Sequence, residues 1–256
     1  MRNLYGHHFT LKPGTRVYVP TDEGKGRGSE IKAAVEAQWT PPSYYFHLQS
    51  GGHVAAVREH CAAPWVASLD LQRFFDHISR SRVHRAMKKL GFSKDEAWEI
   101  ACDSVVDKRP PARRFSIPFG FVQSPILASV VLSKSALGQA IRDCRSAGVK
   151  ATVYVDDISL SAESEKALQI AMQQLDHAAH VSGFSFNPAK TQGPAPVARS
   201  FNIEFGSGQM KILPDRLAEF EVALRTASHP QIDGILGYVA SVSSLSLDEL
   251  NDLIGP

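Results

Sequence analysis

Apolar side chains recur along this chain at two spacings. They fall every second residue in short runs and every third or fourth in longer ones, so strands and helices are both expected. Residues 1–15 read as irregular. Arg16-Val-Tyr-Val-Pro20 alternates polar and apolar and stops at proline, a strand pattern. Thr21–Gly28 holds three glycines and mixed charge and reads as a flexible loop. Ser29 is placed to cap a helix reaching about Trp39, which Pro41-Pro42 forbids from continuing. A glycine pair, Gly51-Gly52, precedes a short amphipathic helix ending near His60, and Trp65–Leu71 is an apolar strand carrying Asp70. Helices are predicted over Ser81–Leu90, closed by Gly91, and from Ser93 to about Val106, where Ser93 and Glu96 form a capping-box pattern. Ser124 is a suitable N-cap and Pro125 a suitable first residue for a helix to about Arg142, apolar enough at its start to be buried. A second strand covers Ala151–Ser161. A long amphipathic helix, Glu163–Ser182, stops at Gly183, and Phe184–Thr191 reads as a short strand and turn. Phe201–Gly206 and Met210–Leu213 form a hairpin about Gly206-Ser207-Gly208. Two helices, 214–227 and 246–254, finish the pattern, the second opened by a capping box of Ser246 and Glu249.

Composition narrows the class without deciding it. The chain has 256 residues, 43% apolar and 21% charged, ordinary for a soluble globular protein. No apolar run approaches a bilayer span, and no N-terminal segment resembles a signal peptide. Three scattered cysteines, Cys61, Cys102 and Cys144, suggest reduced thiols in the cytoplasm and not a disulfide framework or a cysteine-rich zinc site. The net charge is only +2, but its distribution is uneven. Arg73–Lys89 carries six basic residues against one acid, and Lys108, Arg109, Arg113 and Arg114 add a second basic cluster. From Asp215 onward there are seven acids and two arginines. Such asymmetry marks either a polyanion-binding side or a solvated helix face.

The chemistry concentrates where the apolar pattern is broken. Asp156 and Asp157 interrupt a run of strand formers, Thr152-Val-Tyr-Val155 before them and Ile158 and Leu160 after. Buried carboxylates are costly without a compensating cation. Asp70 stands 86 positions earlier in the other apolar strand. If the two strands are neighbours in one antiparallel sheet, carboxylates from both converge and two divalent ions can bridge them to a substrate phosphate. Magnesium fits, because it takes oxygen ligands and keeps waters or phosphates in its shell; manganese is the alternative. The histidines at 47, 53 and 60 invite a metal reading, but His53 and His60 lie seven residues apart, two helical turns, too far to share one ion.

In these residues the chain resembles a reverse transcriptase, closest in style to bacterial retron and defence-associated enzymes. Leu69-Asp70-Leu-Gln-Arg-Phe-Phe-Asp-His-Ile78 resembles the first palm motif. Pro118-Phe-Gly-Phe-Val-Gln-Ser-Pro125 resembles the Pro-x-Gly-x-x-x-Ser-Pro motif, with Phe119 where many relatives carry glutamine. Tyr154-Val-Asp-Asp157 resembles Tyr-x-Asp-Asp, and Gly183–Thr191 resembles the Gly-Phe-x-x-Asn-x-x-Lys-Thr segment. The likeness extends over about residues 16–212.

That resemblance implies an α+β right-hand polymerase fold with a ferredoxin-like palm, small fingers and a short, reduced thumb. The divisions are fingers 1–64, palm 65–200 with inserted fingers elements, a primer-grip hairpin 201–213, and a short helical thumb or tail 214–256. It implies RNA-directed DNA synthesis with two Mg²⁺ held by Asp70 and Asp156, Asp157 further out, and the Leu71 carbonyl completing one shell. Lys190 matches the lysine proposed to protonate pyrophosphate, and Phe75 the aromatic gate under the incoming sugar. Arg16 is the candidate triphosphate contact, with Lys12, Lys25 and Arg27 as competitors. Gly120 and Gln123 are placed at the nucleotide, and Tyr154, Arg113, Arg114 and Ser124 at primer or template. The implied partners are deoxynucleoside triphosphates, a structured non-coding RNA template, and either further copies of the chain or an accessory protein; the implied setting is cytoplasmic anti-phage defence. A catalytically silent RNA- or protein-binding module and an RNA-templated polymerase of other specificity remain as alternatives.

Overall fold

The computed structural model describes residues 4–12, 14–108 and 115–254. The segment expected to be irregular is instead a strand, β1 (Tyr5–Lys12), paired antiparallel with β2 (Thr15–Pro20) so that Phe9 faces Val17 and Thr10 faces Arg16. α1 (Asp22–Gln38) begins seven residues before the expected cap, at the glycine-rich stretch read as a loop. Thr21 Oγ1 accepts from the Gly24 N–H at 3.1 Å, and Ser29 lies inside the helix with its hydroxyl on the Lys25 carbonyl. The glycines mark close packing. A Cβ on Gly24 would lie 2.0 Å from the Leu4 carbonyl oxygen, and one on Gly28 would lie 2.5 Å from Gln123 Oε1.

A short 3₁₀ turn, Phe46–Leu48, precedes α2 (Gly52–Arg58), and β3 (Trp65–Asp70) follows. α3 (Phe74–His77), α4 (Arg80–Leu90) and α5 (Lys94–Asp103) come next, α5 opened by the expected Ser93–Glu96 capping box. β4 (Val106–Asp107) pairs with β5 (Phe115–Ser116). The single helix expected over residues 124–142 is two, α6 (Ser124–Ser133) and α7 (Ala136–Ser146), meeting at 67°. Ser135 caps α7, and Gly138 packs where a Cβ would be 2.3 Å from the Leu132 carbonyl oxygen. Ser124 is not the cap of α6: Gln123 holds that place and makes no side-chain cap bond.

β6 (Lys150–Tyr154) and β7 (Asp157–Ala162) form a tight hairpin, followed by α8 (Glu165–Val181), capped by Ser164. β8 (Gln192–Ala195) and β9 (Val197–Ser200) carried no signal in the apolar pattern. β10 (Ile203–Gly206) and β11 (Gln209–Ile212) are the expected hairpin, widened by β9 into a three-stranded sheet. Three helices finish the described chain, α9 (Pro214–Leu224), α10 (His229–Val242) and α11 (Ser244–Ile254). α10 was not expected; Ser228 and Gln231 form its capping box. Ser246 is no cap. It lies inside α11, fully buried, and its hydroxyl accepts from the Ile212 N–H.

The central sheet runs β6-β7-β3-β8 with every neighbour antiparallel. Its main core gathers Leu69, Ile158 and Leu160 with Val83, Leu127, Leu132 and Leu175 from α4, α6 and α8. A second core joins Val57 of α2 and Val66 of β3 to Ile203, Phe205, Leu217 and Val239, fastening the last three helices to the β9–β11 sheet. Among the described residues no single helix is long and apolar enough to cross a membrane. The bent pair α6 and α7 reaches that composition jointly, and the α6 side chains lie in the main core.

Candidate active site

The three acids arrive together because β3 and β7 are neighbours. Their register places Asp70 opposite Asp157, and cross-strand partners in an antiparallel pair project from the same face. Asp156 is not in a strand at all. It forms, with Val155, the two-residue turn between β6 and β7, so the strict alternation expected of adjacent strand residues does not apply to it. Its carbonyl accepts from the Leu71 N–H at 2.9 Å, which staples the turn to the end of β3, and the Asn187 N–H donates to the Asp70 carbonyl at 2.8 Å. Val155 has φ 59°, the left-handed region, where a β-branched residue is strained.

Electrostatically the cleft is short of positive charge. Burial pushes the Asp156 carboxyl up to about 6, and the neighbouring Asp70 charge adds to it. Burial pushes Asp157 up to about 7, with Asp156 and Asp70 both reinforcing the shift. Lys190 Nζ lies 2.7 Å from Asp70 Oδ2, and this hydrogen bond raises the lysine pKa. Lys12, at the end of β1, is close enough for its charge to oppose the shift of Asp156. Three carboxylates drawing on such sparse positive charge fit a site that takes up further cations with its substrate. Among the described residues no three His, Cys, Asp or Glu side chains already form a metal cage. The carboxylate oxygens are of the kind a magnesium ion takes as ligands.

Above the acids is a cleft of about 300 Å³, lined by Phe75, Phe119, Tyr154, Asp156, Asp157 and Phe201 among others. Phe75 stacks on Phe119 with centroids 4.5 Å apart and planes at 15°. Phe75 is 5% exposed and Phe119 38%, so Phe119 presents the outer ring of the pair. Phe74 is buried in the core as well, against Phe184. Tyr154 meets Phe201, His47 and His53 edge-on at 5.2, 5.8 and 5.9 Å. Ser124 also lines this cleft, and among the described residues its hydroxyl has no partner.

The other expected contacts are placed as follows. Gly120 lines the cleft and, at φ 101°, lets the motif approach β2: a Cβ there would be 2.2 Å from the Tyr18 carbonyl oxygen. The Tyr18 N–H in turn donates to the Phe119 carbonyl at 2.9 Å. Gln123 is fully buried away from the cleft, its amide on the Asp103 carbonyl and the Ser104 hydroxyl. Arg27 is committed to Glu30, Glu99 and Asp103. Arg16 stands exposed on β2, hydrogen-bonded to Tyr18. The Leu71 side chain is buried in the core, and its backbone bridges Phe186. Arg113 and Arg114 fall outside the described residues. In the basic α4, Arg80 lies over Trp98 and Phe115 and Arg82 over Phe184, which leaves Arg85, Lys88 and Lys89 as its exposed charges.

Two groups named in the sequence take buried roles that the sequence did not indicate. Lys108 is buried with Nζ 3.0 Å from Asp76 Oδ1 and 2.7 Å from the Ile117 carbonyl, beneath the Phe119 ring. Burial lowers its pKa, and the Asp76 charge opposes that shift. Burial works against ionisation of Asp76 too, but Lys108 and Arg73 outweigh it and hold the carboxyl low. The other group is His47 and His60, both neutral through burial, at about 4 and about 3. His60 joins Ser161 and Thr152 at 2.8 and 2.9 Å, tying β7 and β6 to the end of α2. Nothing local in the sequence distinguishes these partners from ordinary surface residues.

The family profile described as "Reverse transcriptase (RNA-dependent DNA polymerase)" matches residues 16–212. The chain belongs to the reverse transcriptase family. It is 25% identical over 196 residues to the Escherichia coli retron Ec86 reverse transcriptase, covering 73% of this chain and 58% of that one. To the Escherichia coli retron Ec48 reverse transcriptase it is 28% identical over 111 residues, 43% of this chain and 26% of that one. The chain thus spans less than two thirds of either retron reverse transcriptase. The fold is also that of Candida albicans telomerase, solved with a fragment of telomeric RNA, at TM-score 0.55 and 12% identity, over 90% of this chain and 46% of that one. The α+β polymerase fold expected from the motifs is the fold observed; Asp156 and Asp157 line the cleft, and Asp70 is the register partner of Asp157.

Proposed function

We propose that this chain is an RNA-directed DNA polymerase whose active centre is Asp70, Asp156, Asp157 and Lys190. The observation that carries the reading is the β3–β7 register, which sets Asp70 opposite Asp157 inside the family-matched region. Two magnesium ions, when bound, would supply the Lewis acidity that activates the primer hydroxyl and screens the triphosphate. Asp70 and Asp156 would hold them, with the Leu71 carbonyl as a further oxygen ligand. Asp157 tunes the charge from the next position. The primer 3′ oxygen bonds to the α-phosphorus, the bond to the β-phosphate bridging oxygen breaks, and the hydroxyl proton passes to solvent. Lys190, already protonated on Asp70, is the proton source for the departing pyrophosphate.

Phe75, with Phe119 stacked over it as the outer ring, would close the floor where a 2′-hydroxyl would project, which favours deoxynucleotides. Arg16 and Lys12 supply positive charge on the fingers side. Residues 1–64 act as fingers, 65–200 as palm, 201–213 as primer grip and 214–256 as a short thumb. The acidic character of that last segment suits protein contact better than duplex gripping, so a structured RNA or a further subunit steadies the template. We place this activity in the bacterial cytoplasm, in retron-like antiviral defence. Primer extension on an RNA template with wild type, Asp70→Asn and Asp156→Asn tests the assignment. Loss of incorporation in both variants, with unchanged circular dichroism, is the expected result; incorporation by either at the wild-type rate would refute it.

A further inference from the structure

We infer that His47 is a positioning residue for the catalytic turn, its ring holding Val155 in the left-handed conformation that sets Asp156 beside Asp70. The inference rests on the polymerase reading above. In a two-residue hairpin turn the ladder closes at the flanking pair, here Tyr154 and Asp157, and the amides within the turn must find partners elsewhere. The Val155 N–H donates to His47 Nδ1 at 3.1 Å. An Nδ1 that accepts requires the ring proton on Nε2, and Nε2 lies 2.6 Å from Ser129 Oγ, which donates onward to the Pro125 carbonyl at 2.8 Å. The relay therefore has one consistent polarity, from the turn amide through the imidazole to the first turn of α6. That same helix start contributes Ser124 and Pro125 to the cleft wall.

Position 155 is where such a restraint matters. Primed hairpin turns place glycine or asparagine at positive φ, and this chain places valine there. A strained backbone persists only where its surroundings over-determine it. His47 restrains the turn at two consecutive residues, by the hydrogen bond to Val155 and by its edge-on contact with Tyr154 at 5.8 Å. It is brought there by the 3₁₀ turn Phe46–Leu48, which β6 holds through the bridge between Tyr45 and Val153. A histidine that merely filled space would need neither the acceptor nor the relay.

The test uses His47→Phe, which keeps ring volume and removes both nitrogens; His47→Asn, whose oxygen can replace Nδ1; and Val155→Gly, which adopts positive φ without strain. Single-nucleotide incorporation gives kcat and KM, and amide hydrogen exchange reports Val155 directly. His47→Phe is expected to lower kcat about 30-fold with KM little changed, as a small misplacement of a reacting group does. His47→Asn should recover most of that loss, and in the Val155→Gly background His47→Phe should cost less than about 5-fold. Exchange at Val155 should rise about tenfold in His47→Phe. Equal loss in both backgrounds, no recovery by asparagine, a loss carried by KM, or unchanged Val155 exchange would each overturn the inference. Should His47→Phe not fold, Ser129→Ala decides, because removing the Nε2 partner must raise Val155 exchange. If wild type incorporates nothing, the polymerase reading falls, and Val155 exchange alone still judges the role of His47.

Discussion

Lys190 Nζ and Asp70 Oδ2 stand 2.7 Å apart, across 120 residues of sequence, so the lysine fills the place beside Asp70 that a divalent cation would claim. On the polymerase reading, cation uptake would compete with it. Lys190→Ala is expected to lower the Mg²⁺ concentration for half-maximal binding, measured calorimetrically, and yet to slow incorporation about 10- to 100-fold through loss of a general acid. Weaker Mg²⁺ binding in the variant would show that the lysine supports the ion instead of competing with it.

Asp157 gives a pH signature. Its folded pKa of about 7 lies above the 3.8 of an unperturbed aspartate, so the native state binds the extra proton across that window. The stability this contributes is complete below 3.8 and is lost as pH rises to about 7. Asp157→Asn should therefore stabilise the metal-free protein at pH 8 by about 2 kcal/mol and have little effect near pH 4. Urea melts in chelator at the two pH values measure both.

His60 behaves in the opposite sense. Its folded pKa of about 3 lies below 6.5, so on acidification the unfolded chain takes the proton first and stability falls between those values. His60→Phe strands the Ser161 and Thr152 hydroxyls and should cost about 2–3 kcal/mol at pH 7.5. The gap from wild type should narrow as pH drops below 6.5, because the variant lacks the titrating ring. A gap of constant size over that range would assign the loss to packing alone.

Two of the three glycines in the first half of α1, Gly24 and Gly26, are not equivalent. Gly24 has the Leu4 carbonyl where its Cβ would go, whereas a Cβ on Gly26 meets nothing within 4 Å among the described residues. Gly26→Ala should raise stability by about 0.5–1 kcal/mol, the helix-propensity gain. Gly24→Ala should lower it by about 1–3 kcal/mol by forcing the Leu4 backbone off the helix. Thermal melts of both variants separate a packing glycine from a tolerated one.

The stacked rings predict a graded change in sugar selection. Phe75→Ala should raise ribonucleotide incorporation relative to deoxynucleotide at least about tenfold, the scale of discrimination that steric fit supplies. Phe119→Ala should move the ratio in the same direction by less, since it removes the covering ring and leaves Phe75 loose. Competing ribo- and deoxynucleoside triphosphates in primer extension give the ratio directly; an unchanged ratio in Phe75→Ala would remove the ring from sugar selection.

The acids were legible because each sits in or beside an apolar run, where a charge is conspicuous and a neighbouring strand is the simplest way to pair it. Asp70 and Asp156 were paired on the assumption that their strands are adjacent; the register sets Asp157 opposite Asp70 and leaves Asp156 in the turn beside them. What sequence concealed was tertiary in origin. Gly24 and Gly28 look like loop residues because the reason for them, the Leu4 carbonyl and the Gln123 side chain, lies elsewhere in the chain. Ser246 has the spacing of a cap but spends its hydroxyl on Ile212. α10 was hidden by Gly234 and Gly237, which weaken the helical pattern that Ser228 and Gln231 begin. His47 reveals its role only once Val155 and Ser129 surround it, and those contacts span 108 and 82 residues.

The second core has a mechanical consequence. Val66 belongs to β3, the strand that ends in Asp70, and it packs in the same cluster as Leu217, Val239 and Leu250 of the three terminal helices. Those helices cannot pivot away from the sheet without opening the cluster that backs the catalytic strand. On the polymerase reading proposed above they would serve as a keystone and not as a lever, and advance along a template would fall to the nucleic acid.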